Sequence, residues 1–309
     1  MMKRLAARTP HPCPERSRRD ALRILQSAIR SLKSKYWPLT KSLQTGLLLS
    51  TGLAGYMTAR CPVFNLGTIV GLTASLFLAI AGSTILNMWY DRDIDAKMKR
   101  TCTRPLAAGK VSPQEALRLG LTLSTLGVGM AVAMNLLYGL VVFAGLFFDV
   151  IVYTIWLKRR TAWSIVWGGI SGGMPILAGR VLGTGRIDGI GILLTLAVLF
   201  WIPTHILTFA MRYYDDYKAA GIPTFPSAYG FPVTRATIAV SSVLAALAIG
   251  AAGILIGIEW GLVRLLAVMS AGLLVLAIAS TFRPSERVNF GLFKYASLYM
   301  LSAMILLSI

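Results

Sequence analysis

Residues 66–95 read LGTIVGLTASLFLAIAGSTILNMWYDRDID, a long apolar run that ends in a cluster of acids. About 20 apolar residues are enough for a helix to span a bilayer, so this stretch predicts a transmembrane helix. At its polar end, Asn87, Asp91 and Asp95 follow one another at intervals of four residues. Each interval advances only about 40° around a helix. The spacing therefore predicts one amide and two carboxylates on a single face where the helix meets water.

The rest of the chain is as apolar as this stretch. Of its 309 residues, 56% are hydrophobic and 14% are charged, and the mean hydropathy is +0.67. This composition excludes a soluble domain of this length and indicates an all-α polytopic membrane protein. Nine apolar runs are long enough to cross a bilayer, at residues 39–59, 66–90, 114–134, 137–157, 163–182, 189–211, 233–257, 260–281 and 289–308.

The positions of the basic residues indicate the orientation of these spans. A net charge of +19 would suggest nucleic-acid binding in a soluble protein. Here, when the adjoining ends of the spans are included, 27 of the 31 Lys and Arg residues fall in the N-terminal segment and in the segments after spans two, four, six and eight. The positive-inside rule then predicts a cytoplasmic N-terminus and, with nine spans, an outer C-terminus. We therefore expect no nucleic-acid partner.

Residues 1–38 form a basic segment in front of the predicted membrane domain, residues 39–309. From Ala21 to Trp37, Leu and Ile recur at helical spacing among Arg and Lys. This pattern predicts an amphipathic helix on the cytoplasmic surface that binds anionic membrane lipid. An Arg-rich mitochondrial targeting segment is the alternative, and we expect a prokaryotic cell membrane rather than the mitochondrial inner membrane. The three cysteines have no spacing typical of disulfides or metal sites.

The acidic stripe is followed at once by several Lys and Arg residues. Carboxylate oxygens are preferred ligands of Mg²⁺, which commonly takes phosphate oxygens for the rest of its shell. Asp91 and Asp95 beside a basic loop therefore predict a membrane enzyme that acts on a diphosphate. The alternative is a solvated helix end with salt-bridged carboxylates. This alternative applies most to Asp93, which points away from the stripe and would pair with Arg92 or Arg100.

A second acidic motif lies at the end of the sixth span, where Arg212 and Asp216 follow His205. Steps of seven and eleven residues keep a side chain within about 20° of the same helix face. We therefore expect all three residues to share one face over three turns. An ionisable residue inside a span is a functional candidate by default. A structural histidine that bonds a neighbouring helix is the alternative for His205.

The fourth span ends in a further polar group that includes Tyr153, Lys158 and Arg159. Such a cluster is often only a positive-inside anchor, and Arg160 fits that description. Lys158 or Arg159 could instead reach a diphosphate in a shared cytoplasmic cavity, where fixed cations stabilise a departing anion. Asp149 lies deeper in the span, and no partner for it is visible in the sequence.

Three local patterns resemble those of one family. They are D-R-D-I-D-x-x-M-x-R-T at residues 91–101, Y-T-x-W-L-K-R-R-T at residues 153–161, and a Pro-His-containing helix that ends in D-Y-x-x-A-G-I-P at residues 216–223. Together they are similar to the UbiA superfamily of intramembrane prenyltransferases, and most similar to its heme branch, the protoheme IX farnesyltransferases or heme O synthases. The similarity extends in order from about residue 40 to the C-terminus.

This resemblance implies nine helices around a central cavity, with Mg²⁺ as the cofactor and farnesyl diphosphate and heme B as the substrates. It implies that diphosphate departs to leave an allylic carbocation, which a vinyl group of protoheme attacks before water adds. The residues that it implies are Asp91, Asp95, Asp216 and Asn87 for the metal, Arg104, Lys158 and Arg212 for the diphosphate, His205 for the porphyrin, and Tyr153 for the carbocation. Other membrane enzymes of the heme pathway are expected partners.

Two departures from the family patterns bear on the acceptor. Thr224-Phe225-Pro226 replaces the usual M-L-P, and Thr204 lies between Pro203 and His205, at positions where the acceptor is expected to bind. An aromatic quinone precursor or a glycerol phosphate ether lipid is therefore the alternative acceptor. Arg212 stands where members that act on quinone precursors tend to have Asp, and in this the chain is similar to the heme branch. A membrane transporter, or a non-catalytic heme-carrying protein, would use the same polar residues without forming a covalent product.

Overall fold

The computed structural model describes residues 34–59 and 65–309, and the regular elements in these ranges are all helices. The surface helix predicted at residues 21–37 lies outside the described residues except for its last four, so the boundary at residue 38 stays a prediction. Within this last part, the Lys35 ammonium lies 2.8 Å from the Glu115 carboxylate. This contact joins the N-terminal segment to the helical bundle.

The helices are numbered in chain order. They are α1 Ser42–Met57, α2 Leu66–Tyr90, α3 Arg92–Lys97, α4 Pro113–Met134, α5 Leu136–Phe147, α6 Ser164–Thr184, α7 Gly189–Arg212, α8 Tyr214–Ala219, α9 Phe225–Ile256, α10 Trp260–Phe282 and α11 Glu286–Ser308. A π-helix, Phe148–Leu157, continues α5. With α5 and the π-helix taken as one segment, eight segments within the described ranges are long and apolar enough to cross a membrane.

The predicted all-α membrane architecture is confirmed, and eight predicted spans correspond to these eight segments. The first predicted span, 39–59, corresponds to α1, whose 16 residues are fewer than a full span requires. The span predicted at 233–257 begins earlier, at Phe225, because Thr224 and Ser227 form a capping box there. The chain bends within α9 at Gly230, whose φ of 78° favours glycine.

Helix α1 packs closely against α6 through small residues. A Cβ atom added at Gly179 of α6 would collide with the carbonyl oxygen of Gly52 in α1. A Cβ atom at Gly55 would lie 2.9 Å from the carbonyl carbon of Ile176 and 3.1 Å from the Arg180 nitrogen. Small residues that let helix backbones approach are typical of membrane helix pairs. Helix α1 is therefore an integral part of the bundle.

This close approach makes Gly55→Ala an informative stability variant. The added methyl group has to push two helix backbones apart, so we expect the free energy of unfolding to fall by about 1–3 kcal/mol. Thermal unfolding of the purified protein in detergent would measure the change. Gly46→Ala is the matched control on the same helix, because nothing lies within 4 Å of its added Cβ atom. Equal destabilisation by the two variants would contradict the close packing of α1 and α6.

A buried arginine, Arg180, holds together one end of the bundle. The Arg180 guanidinium contacts the Asp188 carboxylate at 2.6–3.0 Å and donates to the carbonyl oxygen of Thr58 at 2.8 Å. Asp188 also accepts a hydrogen bond from the Gly191 nitrogen at the start of α7. These contacts join the end of α1, the end of α6 and the start of α7. Arg180 therefore has a structural role on the side of the membrane that has few basic residues.

At the opposite end of the bundle, both acidic motifs lie where a long helix breaks. Helix α2 ends at Tyr90 and α7 ends at Arg212, and each is followed by a helix of six residues, α3 and α8. Ile94 and Met98, from α3 and its end, pack against Ile222 in the segment after α8. The two motifs are thus brought to the same end of the bundle, as the resemblance implied.

Candidate active site

Three polar contacts join α2 to the π-helix, one above another, and we call them the polar ladder. They pair Ser83 with Asp149, Asn87 with Thr154, and Asp91 with Lys158. Ser83, Asn87 and Asp91 follow one another at intervals of four residues along α2 and at its C-cap, so the predicted common face holds for Asn87 and Asp91. It does not extend along the same helix to Asp95, because α2 ends at Tyr90 and Asp95 belongs to α3. On the other side the spacing is five and then four. A π-helix bonds residues five apart, and its wider turn directs these three side chains at α2.

Asp91 is the most buried of the predicted metal ligands, with 1% of its surface exposed. Its Oδ2 atom accepts a hydrogen bond from Lys158, and its Oδ1 atom lies 3.8 Å from the Arg159 guanidinium. Oδ1 is buried and has no hydrogen-bond partner in the described part of the chain. Burial alone would lower the pKa of Lys158, but Tyr153 and Asp91 beside it raise that pKa above its usual value. Lys158 is therefore a cation, and Asp91 keeps one carboxylate oxygen for a ligand.

Asp95 is buried and faces a second cation. The Arg104 guanidinium lies 2.8 Å from both carboxylate oxygens of Asp95. Arg104 comes from the loop after α3, and the Thr101 hydroxyl in that loop donates to the Asp95 carbonyl oxygen at 2.9 Å. The basic loop thus folds back over the acidic helix end. The result is a second carboxylate–cation pair beside the first.

Asp93 points away from these pairs, as predicted, but its partner differs from the expected ones. Arg159 contacts both Asp93 carboxylate oxygens, at 2.9 Å and 2.7 Å, whereas Arg92 donates to the Trp89 carbonyl oxygen. These hydrogen bonds hold the pKa of Asp93 below its usual value. The prediction of Arg92 or Arg100 was wrong because the partner comes from another span.

The second motif is divided between two helices. His205 and Arg212 belong to α7, the chain breaks at Tyr213, and Asp216 lies half-buried on α8. The three residues therefore do not share one continuous helix face as predicted. The Arg212 guanidinium is exposed and lies 4.0 Å from the ring centroid of Phe290 in α11. Among the described residues, no ion pair joins Arg212 to an acidic side chain.

A cavity of about 50 Å³ lies between the polar group that ends the fourth predicted span and the segment that follows the second motif. Tyr153, Lys158 and Tyr217, the residue after Asp216, are among the residues that line it. The remaining lining residues are Ala162, Ser164, Ile165, Ile206, Leu207, Ala210, Ile222, Pro223, Thr224 and Phe225. The lining of the cavity is thus mainly apolar, and it includes the phenol ring of Tyr153 and the ammonium group of Lys158.

The donor set suits a hard divalent cation held together with a diphosphate. Asp91 offers an unpartnered oxygen, and Asn87 donates through its amide nitrogen, which leaves its oxygen as the ligand atom. Within the described ranges, no three Asp, Glu, His or Cys side chains are close enough together to hold one ion. This set is therefore too sparse for an all-protein cage but fits a metal that takes several phosphate oxygens and waters, as Mg²⁺ does.

Sequence reasoning missed Lys41, which directly precedes α1. Its backbone has φ 44° and ψ 59°, a left-handed conformation that is uncommon for a non-glycine residue. Its pKa is lowered to about 8, first by burial and then by the nearby charges of Arg104 and Lys158. Lys41 thus belongs to the same charged cluster. An isolated lysine inside the predicted span 39–59 was the signal that could have identified it.

Comparisons with known proteins agree with this geometry. The profile of the UbiA prenyltransferase family matches residues 48–298. Protoheme IX farnesyltransferase of Archaeoglobus fulgidus is 41% identical over 273 residues, which cover 87% of this chain and 92% of that protein. The protein of the same name from Desulforudis audaxviator is 34% identical over 286 residues, which cover 91% of this chain and 89% of that protein.

Two solved structures share the fold. A digeranylgeranylglyceryl phosphate synthase matches with a TM-score of 0.74 at 18% identity, over 89% of this chain and 96% of that one. A UbiA homologue from Archaeoglobus fulgidus, bound to GPP and Mg²⁺, matches with a TM-score of 0.64 at 17% identity, over 89% of this chain and 100% of that one. With a family profile that covers most of its length and long relatives well above 30% identity, this chain belongs to the UbiA prenyltransferase family.

Proposed function

We propose that this protein transfers the farnesyl group of farnesyl diphosphate to a vinyl group of protoheme IX and so converts heme B to heme O. The observation that carries the proposal is the pair of buried carboxylates, Asp91 and Asp95, each in contact with a cation at one end of the bundle. Relatives that are named for this reaction and align over about nine-tenths of the chain support the choice of acceptor.

We also propose that α1 completes a nine-helix bundle around a central cavity, with the N-terminus in the cytoplasm. The glycine-mediated packing of α1 on α6 supports nine helices, and the excess of Lys and Arg on one side supports this orientation. Archaeal and bacterial relatives support a prokaryotic cell membrane as the location. Other heme-pathway membrane enzymes remain proposed partners.

Four residues would hold Mg²⁺ with the diphosphate: Asp91, Asp95, Asn87 and, from the second motif, Asp216. When bound there, Mg²⁺ supplies Lewis-acid stabilisation of the charge that builds up on the departing diphosphate. Asp91 contributes its unpartnered Oδ1 atom, and Asn87 contributes its amide oxygen. Asp216 would act from α8, whose following segment packs on α3.

The two cations that pair with the carboxylates would move to the substrate. Lys158 and Arg104 now neutralise Asp91 and Asp95. With the metal and diphosphate bound, Asp91 and Asp95 would hold the metal, and Lys158 and Arg104 would be free to contact phosphate oxygens. The exchange keeps every buried charge paired, and burying an unpaired charge would be costly. Lys41 would add a third cation.

The residues around the cavity favour formation of the allylic carbocation. The bond between C1 of the farnesyl group and the diphosphate oxygen breaks, and its electron pair leaves with the diphosphate. Tyr153 lines the cavity, and its ring centroid already lies 5.6 Å from the Lys158 ammonium. A desolvated cation–π contact with the carbocation would contribute about 2 kcal/mol. The apolar residues of the cavity exclude water at this stage.

The acceptor completes the reaction. The terminal vinyl carbon of protoheme bonds to C1 of the farnesyl group, which moves the positive charge to the carbon next to the porphyrin. Water then adds to that carbon and loses a proton, which gives the hydroxyalkyl side chain. His205 would contact the porphyrin from α7.

The direct test is to incubate the purified protein with heme B, farnesyl diphosphate and Mg²⁺ and to analyse the products by mass spectrometry. We expect farnesylated, hydrated heme from the native protein and none from Asp91→Ala. Turnover of an aromatic quinone precursor or a glycerol phosphate ether lipid, with no product from heme, would assign a different acceptor.

A further inference from the structure

An aromatic surface runs along α7 and α11 toward the end of the bundle that holds the acidic motifs. The His205 ring lies between Trp201 and Phe293, with ring centroids 4.9 Å and 4.6 Å away and planes within 24° of parallel. Phe293 continues to Phe209 at 5.7 Å and to Phe290 at 6.1 Å. We call these five side chains the aromatic surface. Apart from the buried Trp201, they are partly exposed.

The hydrogen bonds of His205 prepare it to bind a metal. Its Nδ1 atom lies 3.1 Å from the Ser297 hydroxyl, and that hydroxyl donates to the carbonyl oxygen of Phe293 at 3.1 Å. If the hydroxyl proton is donated to Phe293, Ser297 accepts a hydrogen bond from Nδ1–H. The lone pair of the imidazole is then on Nε2. Histidine ligands of metals commonly have this arrangement, with one nitrogen fixed by a second residue.

Two exposed cations lie at the end of the aromatic surface. Arg212 from α7 lies 4.0 Å from the ring centroid of Phe290, and the Lys294 ammonium lies 4.5 Å from the same centroid. Neither forms an ion pair with any acid in the described part of the chain. Lys294 is eight residues into α11, which is deep for a lysine without a charged partner. Two like charges on one ring favour a ligand with two negative groups.

The aromatic surface also adjoins the basic loop that follows α3. The Arg100 guanidinium, which follows α3, lies 4.8 Å from the ring centroid of Phe209 and 5.3 Å from that of Tyr213. A ligand on the aromatic surface would therefore be next to the loop that follows α3, which carries Arg104, the partner of Asp95. The acceptor and the prenyl donor would be neighbours.

We propose that the aromatic surface is the docking surface for the porphyrin, with Nε2 of His205 on the iron and with Arg212 and Lys294 on the two propionates. The inference rests on the proposed function and assigns its acceptor site. The chemistry of the surface selects this occupant. The aromatic side chains match a flat apolar ring, the free imidazole nitrogen matches a metal centre, and the two cations match two carboxylates. His205 and Arg212 are seven residues apart, or about 10 Å along the helix. Arg212 is thereby assigned to the acceptor rather than to the diphosphate.

The proposal can be tested by titrating heme B and its dimethyl ester into the purified full-length protein and following the absorption spectrum. The ester keeps the ring and the iron but has no propionate charge. We expect Lys294→Gln and Arg212→Gln each to weaken binding of heme B about tenfold, as loss of one charge-assisted contact would, and to leave binding of the ester unchanged. Arg235→Gln is the matched control, because the Arg235 guanidinium also lies over a ring, 5.7 Å from the centroid of Phe231, and that ring is not part of the aromatic surface. We expect no effect of this control on either ligand.

His205→Phe tests the iron contact separately, because phenylalanine keeps the ring stacking and removes the nitrogen ligand. We expect the heme spectrum of this variant to lose its imidazole-ligated form. Native affinity for heme B in all three variants, with a native spectrum for His205→Phe, would overturn the docking surface while leaving farnesylation of heme intact. Failure of the native protein both to bind and to farnesylate heme would instead overturn the proposed function.

Discussion

Asp91→Asn is expected to lower the rate of farnesyl transfer by about a thousandfold, the scale for losing one preorganised electrostatic contact together with a metal ligand. The change preserves the shape of the side chain but removes its charge and the oxygen that has no other partner. The measurement is the turnover rate at saturating farnesyl diphosphate and Mg²⁺, with products quantified by mass spectrometry.

Asp93→Asn is the matched control for Asp91→Asn. Asp93 is two residues away, its side chain is 55% exposed, and it pairs with Arg159. An exposed ion pair contributes little to stability, so we expect nearly native turnover. Equal losses in the two variants would contradict the assignment of Asp91 as the metal ligand and would indicate a general disturbance of the charged cluster.

Asp91→Asn is also expected to lower the free energy of unfolding, because it leaves the largely buried Lys158 without its charged partner. Breaking a buried ion pair from one side costs about 3–5 kcal/mol. The double variant Asp91→Asn/Lys158→Met removes both charges and should recover most of this stability without recovering turnover. Recovery of turnover together with stability would mean that Asp91 supports only the fold.

Lys158→Met is expected to lower turnover by about a hundredfold, because one of the fixed cations that stabilise the departing diphosphate is lost. Its effect should fall mainly on the turnover rate, since the cation acts most strongly as negative charge builds up on the leaving group. Steady-state kinetics with varied farnesyl diphosphate would measure both constants. Arg160→Gln is the control, since Arg160 is exposed at the end of the same helix. A comparable loss in Arg160→Gln would indicate that overall positive charge, rather than Lys158, is required.

Hydropathy was sufficient to place the long helices, because a span needs only a continuous apolar run. The period of the α-helix was sufficient to place Asn87 and Asp91 on one face of α2. The same period wrongly placed Arg212 and Asp216 on one helix face. The helix breaks at Tyr213, and the pattern of polar and apolar residues does not indicate this break. The short α1 is likewise indistinguishable by composition from a complete span.

Contacts between different spans could not be predicted from the sequence. Nothing in the local pattern indicates that Ser83 bonds Asp149, since this pairing depends on how α2 and the π-helix pack. The partner of Asp93 was missed for the same reason. The family resemblance, by contrast, predicted that the two acidic motifs lie at the same end of the bundle, because both motifs belong to the family pattern.

The π-helix has a consequence for the evolution of this site. In an ordinary α-helix each residue turns the chain by about 100°, so one residue more or less between Phe148 and Leu157 would change the angular phase of everything after it. Removing a single residue there would leave the hydrophobicity of the span nearly unchanged, yet it would swing Lys158 away from Asp91. The catalytic centre is therefore more sensitive to the length of this segment than to its composition. A variant that lacks one residue of this segment should still insert into the membrane but should lose activity.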